Sequence, residues 1–439
     1  MKLTCLGSGE EVTGSKYLLE AQNNILIDCG LYQGEDAIKL NEKSLQVILN
    51  KRIDAVVLTH AHLDHIGFLP FLVRKGFEGK IYSTMATKDL ARVIWLDNAK
   101  IMSKESPWYY TDQDIKKTLA HMHTHEFDQP FHVFDFEITF FRAGHILGAA
   151  SPLIKNGEIS IQFSGDIGRD DDLIINPPMK SQSDICVMES TYGDREHVKE
   201  LPFDDFRERC IQAKAEQGTI LLPAFSLGRS QAMMCFLYDL FQKFPETELP
   251  IFADSPMTLA ITEIMETYLS ETKLTKTQFQ EIKSKIQFIE FAKQRNKLAK
   301  NSQAKIILTA SGMLSGGHIL EHLQHYVENP TTQILIVGFQ SPGTLGYELL
   351  KKPESIDINQ QNYSCDAQIY SYPHFSSHRD REGLINWLGN SAKKVYLTHG
   401  EPEAISALKK RLEERGHQHV ETLTLNNSYL LKSIHPKKV

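Results

Sequence analysis

Short apolar runs that end in polar or glycine-rich turns recur through the first part of the chain. The runs ILID, DAVVLTH and ISIQFSGD end at Asp28, His60 and Asp166, respectively. Continuous apolar runs of this length are typical of strands that are buried on both faces of a sheet. Helical patterns separate several of these runs, most clearly at 89–102 and 401–415. The alternation predicts a layered α/β fold.

The pattern changes from about Leu201 onward, where a strand, a glycine-containing loop and a helix follow one another as a unit. TILLPAFSLGRSQAMMCFLYDLF and KIILTASGMLSGGHILEHLQHY are two examples. Units of this kind are typical of parallel βα repeats. A chain of 439 residues is also too long for one ordinary hydrophobic core. The sequence therefore predicts a second α/β domain.

Composition narrows the class of protein. The hydrophobic share of 41% and the charged share of 23% are ordinary for a folded soluble protein. The net charge of -7 and the pI of about 6.2 argue against a strongly basic nucleic-acid binder, although a local basic groove stays compatible with them. No stretch is apolar enough to span a bilayer, and the six cysteines show no CxxC spacing. We expect a cytoplasmic protein with reduced thiols and no membrane association.

Candidate metal ligands fall at the ends of the expected strands. The segment HAHLDH, from His60 to His65, directly follows an apolar run. His60 and His62 are two residues apart, so their rings leave an extended segment on the same side. His145 in RAGHILGAAS and Asp166 in FSGDIGR lie at further strand ends. Imidazole nitrogen with carboxylate oxygen suits zinc, with manganese or iron as poorer fits.

Two carboxylates have further expected roles. Asp166 has two oxygens and is the candidate to bridge two cations, which would lower the pKa of water held between them and yield a hydroxide nucleophile. Asp28 is interpreted as a residue outside the ligand set that orients a ligand histidine or a loop backbone. A turn cap before Gly30 is the alternative for Asp28.

The motifs taken together resemble a known family. HAHLDH, AGHILGAAS and FSGDIGR resemble the motifs of the metallo-β-lactamase superfamily. MESTYG with Glu189, HFSSHRDR with His378 and LTHGEP with His399 resemble three further motifs of the β-CASP ribonucleases. PAFSLGRSQ, ADSPM and GFQSPGTLG resemble the inserted domain of that family, so the resemblance covers nearly the whole chain.

The resemblance implies both an architecture and residue roles. It implies an αββα metallo-β-lactamase sandwich of residues 1–200 and 374–439, interrupted by a Rossmann-like α/β β-CASP domain at 201–373. His378 would be the general acid and Glu189 its orienting partner, alongside Asp64 and Asp166 as catalytic residues. The implied ligands of a first zinc ion are His60, His62, His145 and Asp166, and those of a second are Asp64, His65, Asp166 and His399.

Four residues are expected to contact the substrate. Arg229 lies at a predicted helix start, where a guanidinium suits an RNA phosphate, with a structural salt bridge as the alternative. Ser376 and Ser377 precede the proposed acid and could hold a phosphate. Tyr347 could stack on a base, or it could pack in the core.

Two positions depart from the family pattern. Where relatives carry a cation, this chain has His318 and Tyr347, and fewer fixed cations would weaken phosphate binding. His322 and His325 are interpreted as helix-surface residues.

The resulting hypothesis is a two-zinc ribonuclease that cuts single-stranded RNA and leaves 5′-phosphate and 3′-hydroxyl ends. Histidine at position 399 favours RNA over DNA within the family, and a DNA nuclease is the alternative. Specificity for the RNA substrate is expected to come from the active-site cleft, a homodimer surface or a partner. A thioesterase or lactonase would explain the zinc ligands but not His378, Glu189 or the inserted domain. A catalytically silent subunit would be expected to lack ligands, and none is missing here.

Overall fold

The protein divides into two compact units in a computed structural model that describes residues 1–34, 36–102, 104 and 106–432. The first unit comprises Met1–Glu196 with Ser377–Val439, and the second comprises His197–Ser376. The second unit is therefore inserted into the sequence of the first. Within the described residues, no helix combines the length and the apolar character needed to cross a membrane.

Strands and helices alternate along the chain. The strands are β1 (Lys2–Gly7), β2 (Lys16–Glu20), β3 (Asn24–Ile27), β4 (Ala55–Val57), β5 (Lys80–Ser83), β6 (Met122–Thr124), β7 (Pro130–Val133), β8 (Phe136–Arg142), β9 (Ala150–Asn156), β10 (Ile159–Phe163), β11 (Ile185–Glu189), β12 (Thr219–Pro223), β13 (Ile251–Asp254), β14 (Ile286–Phe288), β15 (Lys305–Thr309), β16 (Gln333–Ile336), β17 (Ser355–Ile358), β18 (Gln361–Ser364), β19 (Gln368–Ser371), β20 (Lys394–Thr398), β21 (Val420–Thr422) and β22 (Ser428–Leu430). The α-helices are α1 (Ala37–Ile48), α2 (Leu63–Ile66), α3 (Leu69–Arg74), α4 (Met85–Ile101), α5 (Asp112–His121), α6 (Phe203–Glu216), α7 (Arg229–Lys243), α8 (Pro256–Thr267), α9 (Lys276–Ser284), α10 (Ala292–Ala299), α11 (His318–Tyr326), α12 (Leu345–Leu350), α13 (Arg381–Leu388) and α14 (Pro402–Glu414).

Side-chain caps fix where several helices begin. The Thr84 hydroxyl accepts a hydrogen bond from the backbone N–H of Thr87 and starts α4. The Ser255 hydroxyl caps α8, whose first residue is the proline Pro256. The two hydroxyls accept hydrogen bonds from backbone N–H groups that have no partner inside the helix. Proline at the first helical position has no N–H group and therefore needs no such partner.

The first unit is built on two sheets that face each other. One sheet has the order β22-β1-β2-β3-β4-β5-β6, and the other has the order β21-β20-β11-β10-β9-β8-β7. Buried residues of both sheets, such as Ile25 and Val57 from one and Phe140 and Ile161 from the other, form a single hydrophobic core. Strands β3 to β6 are mutually parallel, as are β10, β11, β20 and β21. Their carboxyl ends therefore gather at one edge of each sheet, where loops carry functional groups.

The second unit contains one parallel sheet with the order β14-β13-β15-β12-β16-β19. Its strands are buried on both faces: Leu221 and Ile307 belong to one core cluster, and the alternate residues Leu222 and Ile306 are buried as well. A parallel sheet covered on both faces is the doubly wound α/β arrangement. The expected fold class, an αββα sandwich with an inserted Rossmann-like α/β domain, is confirmed.

Candidate metal centre

The HAHLDH segment leaves β4 and turns into the short helix α2. His60 follows the strand, and His62 is the residue before the helix, with an extended backbone. The backbone N–H of His65 donates to the carbonyl of His62 at 2.9 Å, which closes the turn. His60 Nε2 and His62 Nδ1 come within 3.1 Å of each other. The two rings thus converge, as their spacing in an extended segment predicts.

Four residues from three segments form a first group of converging donor atoms. His62 Nδ1 is 3.1 Å from His60 Nε2 and 3.1 Å from His145 Nε2. Asp166 Oδ2 is 3.3 Å from His60 Nε2 and 3.5 Å from His145 Nε2. His60, His145 and Asp166 are buried.

A second group of four residues shares Asp166 with the first. Asp166 Oδ1 is 3.3 Å from His65 Nε2 and 3.7 Å from His399 Nε2. Asp64 Oδ2 is 3.4 Å from His399 Nε2 and 3.7 Å from His65 Nε2. The two oxygens of Asp166 therefore point into different groups, and all seven expected ligands lie in these two groups.

These donor atoms fit metal ions. Zinc holds nitrogen and oxygen ligands at about 2.0–2.1 Å, so the edge of a tetrahedral site measures about 3.3–3.4 Å. The separations of 3.1–3.5 Å in the first group and 3.3–3.7 Å in the second bracket that edge. The buried oxygen Asp166 Oδ1 has no hydrogen-bond partner among the described residues. A buried carboxylate oxygen in that position is costly unless a cation balances it.

The outer nitrogens of the ligand rings are held by neighbours. Thr59 Oγ1 lies 3.1 Å from His60 Nδ1, and Thr191 Oγ1 lies 3.1 Å from His399 Nδ1. His65 Nδ1 lies 2.7 Å from the buried carboxylate of Asp28. Such contacts fix the tautomer and the orientation of a ligand histidine. The sequence assigned no role to either threonine, although Thr59 directly precedes the HAHLDH segment and Thr191 lies within MESTYG.

Backbone geometry supports this placement. The other oxygen of Asp28 accepts the backbone N–H of Thr59 at 2.8 Å, so the carboxylate links the ends of β3 and β4. Asp28 and His399 both adopt left-handed backbone conformations, with φ of 57° and 52°. This conformation is uncommon outside glycine and persists where the surroundings enforce it, often at functional sites.

Burial and neighbouring charges shift the pKa values of the ligands in different directions. Burial would lower the pKa of His65 and His399, but the carboxylates, Asp166 first, raise it. Burial lowers the pKa of His60, His62 and His145, and the pKa of His62 falls to about 3. Burial alone would raise the pKa of Asp166, but the surrounding histidines, His399 first, hold that pKa well below its usual range. Neutral imidazole and ionised carboxylate are the forms that bind metal.

His378 and Glu189 form a pair beside the two groups. His378 Nδ1 is 3.1 Å from Glu189 Oε2, and His378 Nε2 is 3.9 Å from Asp166 Oδ2. Glu189, at the end of β11, is buried and accepts the backbone N–H of Ile167 at 2.5 Å. Burial would lower the pKa of His378, but the carboxylates, Glu189 first, raise that pKa to about 9. A carboxylate oxygen of Glu189 also lies within 4.8 Å of donor atoms of Asp166 and His399. The Glu189 carboxylate is therefore placed either to orient His378 or to bind a metal ion.

The residues expected to contact substrate are distributed over both units. Arg229 begins α7 of the second unit, and its guanidinium donates to the carbonyl of Val337. Tyr347 lies half-buried on α12, with the Lys351 ammonium 4.6 Å from its ring centroid. Ser377 belongs to the first unit with His378. Ser376 is the last residue of the second.

One interpretation from sequence is wrong. His322 has no exposed surface, and its Nε2 lies 2.7 Å from the buried carboxylate of Asp254. The same carboxylate accepts hydrogen bonds from Arg295 and contacts His318 Nδ1 at 3.0 Å. Along α11, positions 319, 322, 323 and 326 are buried, and this helical spacing carried the signal that was missed. His318 is therefore engaged in a buried ion network of the second unit.

Three family models match successive parts of the chain. A metallo-beta-lactamase superfamily domain matches residues 18–185, and a Beta-Casp domain matches residues 230–349. A Zn-dependent metallo-hydrolase RNA specificity domain matches residues 363–423.

Relatives and a solved structure match along most of the chain. Ribonuclease TTHA0252 of Thermus thermophilus is 32% identical over 95% of this chain and 97% of its own length. Transcription termination factor FttA of Methanosarcina mazei is 29% identical over 97% of this chain and 72% of its own. Integrator complex subunit 11 of Gallus gallus is 27% identical over 95% and 71%. An Enterococcus faecalis protein of unknown function, 13% identical, shares the fold with a TM-score of 0.58 over 98% of this chain and 99% of that one. This chain belongs to the β-CASP family of the metallo-β-lactamase superfamily.

Proposed function

We propose that this protein is a zinc-dependent ribonuclease that hydrolyses single-stranded RNA to 5′-phosphate and 3′-hydroxyl ends. The observation that carries the proposal is the pair of four-atom groups that share Asp166, with the His378–Glu189 pair beside them. A metal-dependent hydrolase accounts for the groups, and the relative named as a ribonuclease and the matched RNA specificity domain support RNA as substrate.

The distances support an assignment of the residues that would hold two zinc ions. We assign the first ion to the group containing His60, His62 and His145, and the second to the group containing Asp64, His65 and His399. Asp166 would contribute one oxygen to each. Two such ions supply Lewis acidity, which lowers the pKa of water and stabilises negative charge on phosphate oxygens.

His378 supplies the proton that the leaving group needs. Water adds to phosphorus while the bond from phosphorus to the 3′ oxygen breaks, and His378 Nε2 gives its proton to that oxygen. Glu189 holds Nδ1 on the far side of the ring and so keeps Nε2 directed toward the ligand groups. The upstream product then ends in a 3′-hydroxyl and the downstream product begins with a 5′-phosphate.

In this proposal, each of the two units corresponds to one domain of the family. We assign the first unit as the metallo-β-lactamase domain and the second as the inserted β-CASP domain. Matches of the metallo-beta-lactamase model within the first unit and of the Beta-Casp model within the second support the assignment. Contact of substrate with Arg229, Tyr347, Ser376 and Ser377 remains part of the proposal.

A cleavage assay tests the proposal. Purified protein of measured metal content is given single-stranded RNA with a 5′ label, beside a DNA strand, a thioester and a lactone. We expect two zinc ions per chain, RNA products with 5′-phosphate ends, and no turnover of the ester substrates.

Variants identify the residues responsible. His378→Ala should lower the rate by about 10²–10⁴-fold while zinc content is kept, because general acid catalysis is worth that much. Asp166→Ala should lose both zinc and activity. His123→Ala is the matched control, because His123 is an exposed histidine of the same unit. Intact RNA together with hydrolysis of the thioester or lactone would overturn the ribonuclease assignment and leave only the metal centre.

A further inference from the structure

Two phenylalanine side chains that follow adjacent strands are exposed at the carboxyl edge of the parallel sheet in the second unit, and a third, Phe291, follows the edge strand β14. Phe225 follows β12 and is 41% exposed, and Phe339 follows β16 and is 53% exposed. Phenylalanine is among the residue types most often buried. Two exposed rings at the ends of neighbouring strands therefore indicate a surface that contacts something else.

The two rings lie on one stretch of the sheet edge. Strands β12 and β16 are adjacent and parallel, with Leu221 paired to Ile334. Neighbouring strands are about 4.8 Å apart, so the residues that follow them start side by side. The guanidinium of Arg229 donates to the carbonyl of Val337 and joins the segment after β12 to the segment after β16.

The loops that follow β15 and β16 at this edge are hydrogen-bonded to each other. A Cβ atom on Gly312 would lie 2.8 Å from the Phe225 ring, so this ring rests directly on the loop after β15. The buried amide of Gln340 donates to the carbonyls of Gly312, at 2.9 Å, and Gly338, at 3.2 Å. Loops held in this way lose little conformational freedom when a ligand binds, which favours binding.

The chemistry of this surface favours an unpaired nucleic acid. Bases stack on exposed aromatic rings without regard to sequence, and arginine beside them suits phosphate. The net charge of -7 gives the chain no general attraction for phosphates, so stacking must contribute a larger share of RNA affinity. A protein partner would bury roughly 800 Å² on each side, far more than two rings provide.

We propose that Phe225 and Phe339 form a base-stacking surface for single-stranded RNA. The inference rests on the proposed ribonuclease function, because it identifies how bases of that substrate are held. It assigns stacking to two side chains that are more open than the half-buried Tyr347.

Binding to metal-loaded protein tests the inference. The measurement is the Kd for a fluorescent single-stranded RNA, made in a His378→Ala background that retains every proposed zinc ligand and is expected to cut about 10²–10⁴-fold more slowly than the parent. Phe225→Leu and Phe339→Leu keep apolar volume but remove the ring. Each should raise the Kd by about 5- to 100-fold, the range expected when one stacked base is lost. Phe225→Tyr and Phe339→Tyr restore a ring and should bind as the parent does.

Abasic RNA separates stacking from a structural effect. An RNA of the same length without bases offers phosphates and sugars but nothing to stack. Both leucine variants and the parent should bind this RNA equally, because the lost interaction is already absent. The control is Phe134→Leu: this ring is 57% exposed in the turn between β7 and β8 of the first unit, and its loss should leave both Kd values unchanged.

The outcomes distinguish the two proposals. Leucine variants that bind normal RNA as tightly as the parent overturn the stacking surface alone, as does an equal loss of affinity for abasic RNA. Unchanged RNA affinity together with altered self-association would show a protein-docking surface instead, which also overturns the inference. A parent protein that neither binds nor cuts RNA overturns the ribonuclease proposal, and the stacking surface falls with it.

Discussion

Lys16 is a charged side chain with no exposed surface, and it bears on stability at the level of a single residue. Its ammonium group donates to the carbonyl of Gly14 at 3.1 Å and lies 4.8 Å from the ring centroid of Tyr32. Burial lowers the pKa of Lys16 to about 8, against an ordinary value of 10.5. The unfolded chain therefore binds this proton more tightly than the folded protein, which costs stability at neutral pH.

Substitution of this lysine should stabilise the protein. The cost is fully present below pH 8 and disappears as the pH rises from 8 toward 10.5, because the amine is then neutral in both states. The lowered pKa costs about 1.4 kcal/mol of stability per pKa unit, and Lys16→Met removes that cost. After the lost hydrogen bond to Gly14 is subtracted, the substitution should raise the free energy of unfolding at pH 7 by about 1–3 kcal/mol.

Urea unfolding of variant and parent at several pH values measures this effect. The difference between them should shrink steadily between pH 8 and pH 10. Lys75→Met is the control, since Lys75 is exposed and lies over the ring of Phe71, and it should change stability little at any pH. A Lys16→Met difference that stays constant with pH would show that lost packing, not the buried charge, sets the result.

Glu189 can be tested separately from the histidine that it contacts. Glu189→Gln keeps the shape of the side chain but removes the charge 3.1 Å from His378 Nδ1. We expect kcat for RNA cleavage to fall about 10- to 100-fold with KM nearly unchanged, because the substitution affects proton transfer and not binding.

The effect should depend on His378. In a His378→Ala background, Glu189→Gln should lower the rate little further, since residues that act as a unit are not additive. Glu137→Gln, on β8 beside Lys155, is the matched control and should leave kcat unchanged. Loss of zinc from Glu189→Gln would instead identify Glu189 as a ligand, the role that its proximity to His399 also allows.

At the scale of elements, the loop after β3 is packed directly on α2. A Cβ atom on Gly30 would lie 1.5 Å from the carbonyl oxygen of Asp64. Backbone hydrogen bonds tie the same surfaces together, with Ser15 donating to Asp64 and Cys29 donating to His65. The absence of a side chain at position 30 therefore sets where two proposed zinc ligands lie.

Gly30→Ala should move α2 and disturb the metal group that contains Asp64 and His65 more than the other metal group. We expect a loss of about 1–3 kcal/mol in unfolding free energy from overpacking, and zinc content falling from two ions toward one. Elemental analysis and urea unfolding provide the readouts. Gly316→Ala is the control, because a Cβ atom there meets nothing within 4 Å. Full zinc content in Gly30→Ala would show that the loop after β3 moves instead and that the position of α2 does not depend on the absence of a side chain at residue 30.

The elements also show what sequence could and could not predict. The helices expected at 89–102 and 401–415 are observed as Met85–Ile101 and Pro402–Glu414, because their apolar spacing is a local property. The convergence of the ligand histidines could also be predicted, because the segments that carry them follow the ends of strands. The pairing of His322 with Asp254, 68 residues earlier in the chain, and the packing of the Phe225 ring on the loop that contains Gly312 join segments that are distant in sequence. Such long-range contacts are not encoded in any local period.

At the scale of the whole molecule, every proposed zinc ligand lies in the first unit. Binding of a ligand to the folded state stabilises that state by RT ln(1 + [L]/Kd), about 4 kcal/mol when the ligand is at a thousand times its Kd. Without zinc, the first unit loses this stabilisation, and the imidazoles of His60, His62 and His145, whose pKa values burial lowers, lose the ion that would hold their nitrogens together. Chelation should therefore weaken the first unit selectively.

Hydrogen exchange resolves this effect segment by segment. Addition of a chelator should speed exchange in peptides that cover 58–66 and the ends of β10 and β20, because their ligands lose the bonds that hold them. Peptides from β12 and β15 in the second unit should exchange at an unchanged rate, since none of their residues is a proposed ligand. Two equivalents of zinc should restore the original pattern, whereas Asp166→Asn should exchange rapidly with or without chelator. Equal acceleration in both units would mean that they unfold as one cooperative body, and the stabilisation by zinc would then belong to the entire chain.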